Sequence, residues 1–198
     1  MRTLLLDIDD TLLNTKKLIS IINKQVLAII KLSETELQAL INQYLKQLDT
    51  SFTNPEDYCN YLNKKLNPSA EKKQQLIDVF YKKTQKYHNC LFADTKIIPQ
   101  LAEKYQLGIF SQGGEKFQTA KYLNSGLAQY FNSDLIFINT NKTAPQFLEK
   151  LPEEAIIIDN NLKIIKKLLS HQRKAIWLNR KTKEKLVAKT IFSLTELS

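Results

Sequence analysis

The sequence predicts an α/β fold in which a parallel β-sheet with helices on both faces carries an inserted helical segment. Three features support this prediction. From about residue 96 onward, short apolar segments alternate with helical ones, a pattern typical of parallel sheets covered on both faces. Between about residues 15 and 90 the pattern is helical throughout. Since the apolar segment at residues 4–6 reads as a strand, the helical block interrupts the α/β part of the chain.

Within the helical block, apolar residues recur at the spacing of three and four that is typical of amphipathic helices. The first helix covers about residues 18–30. Ser33 and Glu36 form a capping-box pattern at the start of a second helix. A break in the pattern covers residues 49–55, and two short helices follow, the second starting at Asn67-Pro68.

The α/β pattern predicts strands at residues 107–110, 135–138, 155–158 and 175–178. The helices between them are predicted at residues 115–124, 145–150 and 162–169. We therefore expect a core domain made of residues 1–14 and 91–198, with residues 15–90 forming an all-helical cap domain.

Composition and charge narrow the classes of function. The net charge of +9 comes from scattered lysines rather than from a basic block, so we expect no nucleic-acid partner. No apolar segment approaches the roughly 20 residues needed to span a bilayer, and the first one ends too early for a signal peptide. Cys59 and Cys90 match no metal-site spacing. We expect a cytoplasmic protein with two free thiols, and the sequence does not indicate its oligomeric state.

The segment Asp7-Ile8-Asp9-Asp10-Thr11-Leu12 directly follows the first predicted strand. Strand side chains alternate between two faces, so Asp7 and Asp9 point to the same side. Two converging carboxylates repel each other unless a positive charge lies between them, and Mg²⁺ is the first candidate because it prefers oxygen ligands. Asp10-Thr11 is also typical of a helix N-cap, so the motif by itself fits a metal site and a helix start about equally well.

Polar residues follow the later strands as well. Ser111-Gln112-Gly113-Gly114 offers a hydroxyl group and backbone amides that suit a phosphate. Lys142 can reach a bound anion as a point charge, with a solvated surface lysine as the alternative. Asp159 is either a metal ligand or a helix N-cap. Because ligands bind beyond the carboxyl ends of the strands in such sheets, we expect these groups to form one site.

In this order the motifs resemble those of the haloacid dehalogenase (HAD) superfamily of phosphohydrolases, whose core is a Rossmann-like parallel sheet. The segment that begins at Asp7 resembles the first motif, Asp-x-Asp-x-Thr. Three later segments resemble the second, third and fourth motifs of the family. They are, in order, Gly108-Ile109-Phe110-Ser111-Gln112-Gly113, Lys142-Thr143-Ala144-Pro145 and Ile156-Ile157-Ile158-Asp159. The resemblance covers nearly all of the chain, including a helical cap inserted just after the first motif.

The resemblance implies a Mg²⁺-dependent phosphatase that acts on a small phosphorylated metabolite. Asp7 would be the nucleophile that forms an aspartyl-phosphate, and Asp9 would be the general acid and base. The metal ligands would be Asp7, the Asp9 backbone carbonyl and Asp159.

The resemblance also implies how the phosphoryl group is bound. Ser111, the Gln112 backbone amide and Lys142 would stabilise the charge on the phosphoryl oxygens. The position of Asp9 favours phosphoryl chemistry, because the dehalogenases of the superfamily carry the nucleophile without an acid two residues later.

The fourth motif departs from the family pattern. A second acid usually stands directly after the first or four residues later, where this sequence has Asn160 and Lys163. Gln112 also stands where Asn is more usual. The loss of an outer carboxylate can lower metal affinity or activity about 10–100-fold. Two alternatives to a phosphatase therefore stay open: a catalytically weakened HAD-like binding or regulatory protein, and a phosphomutase.

Overall fold

A computed structural model of the protein describes residues 1–48, 54–82 and 87–197. The chain divides into two compact units, one made of residues 1–15 and 87–198 and the other of residues 16–86. The boundaries predicted from the sequence lie after residues 14 and 90. The assignment of residues 15–90 as a helical cap domain stays a prediction.

The first unit is built on a six-stranded sheet in which all paired strands are parallel. Its strands are β1 (Arg2–Leu6), β2 (Tyr105–Gln112), β3 (Phe131–Asn139), β4 (Ile156–Asp159), β5 (Lys174–Leu178) and β6 (Thr190–Ile191). Their order across the sheet is β3-β2-β1-β4-β5-β6. Strand β1 therefore lies between β2 and β4, so whatever follows β1 is placed between the ends of its two neighbours.

The second unit is helical in the part that the structure describes. Its helices are α1 (Thr15–Ile30), α2 (Glu34–Leu45), α3 (Pro55–Leu66) and α4 (Ala70–Tyr81). Both bonds of the predicted capping box at the start of α2 are present. The buried residues of this unit include Tyr44, Tyr58, Leu62, Leu76 and Phe80.

The start predicted for α4 at Asn67-Pro68 is wrong. Asn67 takes up a left-handed conformation with φ 42° and ends α3, and Ser69 is the N-cap of α4. Asn tolerates this conformation better than most residues, and so it ends helices as well as starting them. Most of the predicted break at residues 49–55 lies outside the residues that the structure describes.

Helices surround the sheet of the first unit. They are α5 (Ile98–Lys104), α6 (Glu115–Asn124), α7 (Pro145–Leu148) and α8 (Leu162–Ser170). Helices α5 and α6 contact β2 and β3, respectively, and α8 contacts β4 and β5. The predicted α/β class with a parallel sheet is therefore confirmed.

Several elements of the first unit differ from the prediction. Helix α5 lies in a segment for which no helix was predicted, and strand β2 extends two residues beyond each of its predicted ends. Strand β3 begins at Phe131, four residues before the predicted start. The prediction missed these residues because this part of the strand is polar and largely exposed at the sheet edge. Helix α7 ends at Leu148 rather than near residue 150. Strand β6 was not predicted, since a two-residue strand carries no periodic signal.

The core of the sheet keeps the central strands rigid. Leu5 of β1, Phe110 of β2 and Ile157 of β4 are fully buried in one apolar cluster, together with Ile165 and Leu168 of α8. The ends of these three strands are consequently held at fixed positions relative to one another.

Two further sequence-based expectations concern membranes and cysteines. Within the described ranges, no helix has the length and apolar character required to cross a membrane. Cys59 and Cys90 are both buried and form no disulfide.

Candidate active site

The sequence-predicted residues meet at the carboxyl edge of the sheet. Asp7 continues β1, and its backbone N–H donates to the Ile158 carbonyl at 3.0 Å. Asp159 is the last residue of β4, and Ser111 is the second-last residue of β2. Since β2, β1 and β4 are neighbours, the three side chains come from adjacent strand ends.

Asp7, Lys142 and Asp159 form a buried charged cluster. The Nζ atom of Lys142 lies 2.6 Å from Oδ1 of Asp7 and 2.6 Å from Oδ2 of Asp159. All three side chains are at most 5% exposed. With both carboxylates ionised, the cluster has two negative charges and one positive charge, and its net charge is therefore −1.

Electrostatic effects in this cluster are strong. Burial raises the pKa of Asp7 to about 7, and the nearby Asp159 and Asp9 carboxylates act in the same direction, against the lowering effect of Lys142. Burial alone would lower the pKa of Lys142, but the charges of Asp7 and Asp159 outweigh it and raise that pKa above its ordinary value. The charges of Asp7 and Asp159 therefore favour the protonated, cationic form of Lys142, whereas burial favours the neutral form of Asp7.

Lys142 was predicted to bind phosphate, and the structure places it between two carboxylates. Its ammonium also lies 5.2 Å from the centroid of the Phe110 ring. A lysine ammonium has three hydrogens, and Lys142 donates to Oδ1 of Asp7 while forming an ion pair with Asp159, so a donor is left for a bound anion. Binding of phosphate by Lys142 stays a prediction.

The Asp9 carboxylate has a separate set of donors. Lys121 Nζ donates to its Oδ1 at 2.8 Å and to its Oδ2 at 2.7 Å. Thr15 Oγ1 donates to Oδ1 at 2.9 Å, and Gln118 Nε2 donates to Oδ2 at 3.0 Å. Burial alone would raise the pKa of Asp9, but the charge and hydrogen bonds of Lys121, with those of Gln118 and Thr15, lower it.

Sequence analysis did not identify Gln118, Lys121 or Thr15. Lys116, a further lysine of the same helix, lies exposed on α6. The available signal was the spacing of three residues between Gln118 and Lys121, which places both on one face of the helix after the Ser111 segment. Nothing local indicates that this face meets Asp9, because the contact spans more than 100 residues of sequence.

The alternative of a helix start at Asp10-Thr11 does not hold. Residues 10–13 form a turn, and α1 begins at Thr15. Asp10 takes φ 55°, and its Oδ1 accepts a hydrogen bond from the Thr15 backbone N–H at 3.1 Å. This turn brings the Thr15 hydroxyl back to Asp9.

The segment after β2 has the features of an anion site. The Ser111 hydroxyl is fully buried and has no hydrogen-bond partner among the residues that the structure describes. Gly113 has φ 146°, and Gly114 precedes α6 without a side-chain cap. A buried hydroxyl group without a partner is costly, so Ser111 fits a bound ligand better than a purely structural role.

At the end of β4, the helix cap is Asn161 rather than Asp159. The Asn161 side chain accepts from the Lys163 backbone N–H at 3.0 Å at the start of α8. Oδ1 of Asp159 accepts from the Asn161 backbone N–H at 2.8 Å, and its other oxygen faces Lys142. The Asn160 carbonyl accepts from the Trp177 indole at 2.9 Å, which fixes the loop to β5.

The residues present fit a magnesium ion. Among the described residues, no group of three His, Cys, Asp or Glu side chains is arranged to hold a metal. Mg²⁺, however, is usually bound by one or two carboxylates together with waters and substrate phosphate. Oδ1 of Asp7 and Oδ2 of Asp159 each lie 2.6 Å from Lys142 Nζ, so the two carboxylates are close enough to share one cation, and a net charge of −1 remains on the cluster when both are ionised. The buried Oδ2 of Asp159 accepts no hydrogen bond from the described residues. The Asp9 backbone carbonyl would complete the protein ligands.

Comparison with models of known protein families identifies the family of the chain. The sequence model of haloacid dehalogenase-like hydrolases matches residues 4–162. The chain belongs to the haloacid dehalogenase-like hydrolase family. The match includes all four segments that form the site described above. A comparison with curated proteins finds no match.

Solved structures of haloacid dehalogenase-like proteins share this fold. A candidate hydrolase from Burkholderia xenovorans LB400 is 14% identical with a TM-score of 0.69, over 98% of this chain and 94% of that one. A 2-haloacid dehalogenase from Pseudomonas syringae pv. Tomato DC3000 is 18% identical with a TM-score of 0.67, over 100% and 96%. The candidate HAD hydrolase YfnB from Bacillus subtilis, bound to magnesium, is 18% identical with a TM-score of 0.64, over 99% and 96%. At these identities the likeness shows the fold alone.

Proposed function

We propose that this family member is a Mg²⁺-dependent phosphatase that hydrolyses a small phosphorylated metabolite through an aspartyl-phosphate on Asp7. The observation that carries the proposal is the second carboxylate, Asp9. It lies two residues after Asp7, has its own donors and keeps 31% of its side chain exposed. A dehalogenase needs a nucleophile but no acid for the leaving halide, whereas an alkoxide leaving group requires a proton.

The first step would be the attack of Asp7 on phosphorus. An Oδ atom of Asp7 forms a bond to phosphorus as the bond to the ester oxygen breaks, which leaves the phosphoryl group on Asp7. Lys142 favours the ionised form of Asp7 that this attack needs. Bound Mg²⁺ would neutralise charge between the carboxylate and the anionic substrate.

Asp9 would move the protons of both steps. In its protonated form, which the lowered pKa makes the minor one, Asp9 would pass a proton to the departing alkoxide. The carboxylate that this leaves would then take a proton from the water that attacks the aspartyl-phosphate. The partial exposure of its side chain is consistent with access by substrate and water. The Lys121 ammonium favours the ionised carboxylate that the second step requires.

The phosphoryl oxygens would be bound by groups at the end of β2. The unpartnered Ser111 hydroxyl, the Gln112 backbone amide and the remaining donor of Lys142 are the candidates. Fixed donors at positions where charge develops stabilise the transition state of phosphoryl transfer.

The test is hydrolysis of 4-nitrophenyl phosphate with Mg²⁺ by the wild type and by Asp7→Asn. We expect turnover by the wild type and none by Asp7→Asn, because an amide cannot act as the nucleophile. Release of chloride from a 2-chloro acid by the wild type, without phosphatase activity, would identify a dehalogenase instead.

Two alternatives stay open. The absence of an acid at Asn160 and Lys163 favours a weakened protein with a binding or regulatory role, and failure of both Mg²⁺ binding and turnover of a phosphate-ester panel would support it. Transfer of phosphate within a sugar phosphate, rather than to water, would indicate a phosphomutase. A cytoplasmic location and the absence of a nucleic-acid partner stay predictions.

A further inference from the structure

We propose that Gln118 and Lys121 are positioning residues that hold the Asp9 side chain in register with the phosphate-binding segment after β2. This inference rests on the proposed phosphatase function, because it assigns Asp9 the role of moving protons. It goes further by naming the residues of α6 that decide where the Asp9 carboxylate lies.

The hydrogen bonds to Asp9 fix the orientation of its carboxylate. Asp9 accepts four hydrogen bonds from three side chains, two of them from Lys121. An ionised carboxylate has about four acceptor positions, so its orientation in this arrangement is fully determined. Without Gln118 and Lys121, only the bond from Thr15 would remain, and the carboxylate could rotate about the Cα–Cβ and Cβ–Cγ bonds.

Gln118 connects the acid to the phosphate-binding segment. Its Nε2 atom donates to Oδ2 of Asp9 at 3.0 Å and to the Gln112 backbone carbonyl at 2.9 Å. One amide group thus sets the distance between Asp9 and the backbone next to Ser111. This distance matters because the leaving oxygen and the phosphoryl oxygens belong to the same substrate.

Gly113 provides the space for this connection. A Cβ atom on Gly113 would lie 2.6 Å from Gln118 Nε2. The φ of 146° at Gly113 is also one that other residues rarely adopt. The sequence of the segment therefore permits Gln118 to reach Asp9 and Gln112 together.

Lys121 holds Asp9 without closing it off. Its side chain is only 6% exposed and is oriented over the Phe117 ring, with Nζ 4.6 Å from the ring centroid. The Nζ atom contacts both oxygens of Asp9, so it can keep one bond while the other oxygen turns to a substrate or water. With these bonds in place, 31% of the Asp9 side chain is exposed.

The experiment compares two aryl esters of similar size, phenyl phosphate and 4-nitrophenyl phosphate. Phenolate is the more basic leaving group and depends more on protonation by Asp9. The ratio kcat/KM is measured for the wild type, Lys121→Met, Gln118→Met and Lys121→Arg. Lys116→Met is the matched control, because it removes the same charge from an exposed position of the same helix.

We expect Lys121→Met and Gln118→Met to lower kcat/KM about 10–100-fold for phenyl phosphate. For 4-nitrophenyl phosphate the loss should be less than about tenfold, since this leaving group needs less protonation. Lys121→Arg should recover part of the loss, because it keeps a donor with a positive charge. Mg²⁺ affinity measured by titration calorimetry should stay within about threefold of the wild type, since these residues contact the Asp9 side chain and not the ligands at Asp7 and Asp159.

The outcomes are distinguishable. A wild type that hydrolyses neither ester overturns the proposed function and this inference with it. A wild type that hydrolyses both, with equal losses on the two esters or no loss in the α6 variants, overturns only the inference. Thermal unfolding of each variant shows that it is folded, and if Lys121→Met does not fold, Gln118→Met and Lys121→Arg provide the comparison.

Discussion

Oδ1 of Asp7 lies 2.6 Å from Nζ of Lys142, yet the pKa of Asp7 is raised to about 7. The lysine is shared with Asp159, and burial has a larger effect than the ion pair. Lys121 donates to both oxygens of Asp9, two residues later, and the pKa of Asp9 is lowered. The two acids of one motif therefore affect the stability of the fold in opposite directions.

The first prediction concerns Asp7→Asn in buffer without Mg²⁺. The folded-state pKa of about 7 is above the unfolded value, so the ionised Asp7 destabilises the fold at pH 8 and this effect is lost as the pH falls towards 4. We expect Asp7→Asn to raise the free energy of unfolding by about 1–2 kcal/mol at pH 8, and by progressively less as the pH falls from 7 to 4. Urea unfolding followed by the fluorescence of Trp177, which lies in β5, measures it.

Asp9→Asn is the matched comparison for that experiment. Because the pKa of Asp9 is lowered, its ionised form stabilises the fold above the unfolded pKa. Its replacement should lower the free energy of unfolding at pH 8 by about 1–3 kcal/mol. Equal shifts in the two variants would contradict the assignment of opposite environments.

A second prediction addresses the missing acid after β4. Asn160→Asp adds a carboxylate beside Asp159, and we expect it to lower the Kd for Mg²⁺ about tenfold. Asn161→Asp is the control, since it adds the same charge one residue later but keeps a residue suited to capping α8. Titration calorimetry measures both, and an equal gain in the two variants would point to a general charge effect.

The third prediction concerns acid stability through Asp94. Arg180 donates to both oxygens of Asp94, at 2.8 and 2.9 Å, and the Leu194 backbone N–H donates at 2.8 Å. Burial alone would raise the pKa of Asp94, but these bonds lower it, so its stabilising effect is present above the unfolded pKa and is lost as the pH falls through the folded one. Asp94→Asn should destabilise the protein by about 2 kcal/mol at pH 7.

The pH profile separates this effect from a general loss of charge. The difference between the wild type and Asp94→Asn should be constant from pH 8 to about 5 and should shrink below about pH 4. Asp134→Asn, which removes an exposed carboxylate from β3, should change the unfolding free energy by less than about 0.5 kcal/mol.

The fourth prediction concerns Gly108 in β2. A Cβ atom there would lie 2.4 Å from the Leu135 carbonyl oxygen and 2.6 Å from Cδ2 of Leu5. Gly108→Ala should therefore lower the free energy of unfolding by about 1–3 kcal/mol, because backbone and core must move apart. Gly114→Ala meets open space at an ordinary φ of −68° and should cost less than about 1 kcal/mol. Chemical denaturation of the two variants side by side checks the difference.

Most of the α/β architecture could be predicted from local patterns. Continuous apolar segments at β1, β2, β4 and β5 indicate strands buried on both faces, and polar residues at their ends indicate the edge where ligands bind. Strand β6 could not be predicted, because it is a strand through its pairing with β5 and not through its own periodicity. The start of β3 could not be predicted either, because it is polar and its pairing with β2 is interrupted between Phe131 and Ile136.

The sequence by itself determined the strand-end groups, Asp7 and Asp9 above all, because the apolar strand segments and the two-residue period of a strand can be read from the chain. The order of the strands in the sheet was seen only in the structure. Only the tertiary structure decided which cation meets which carboxylate. Lys142 meets Asp7 across 135 residues and Lys121 meets Asp9 across 112. Such contacts follow from the packing of whole elements, and no local signal selects one lysine among the 29 basic residues of the chain.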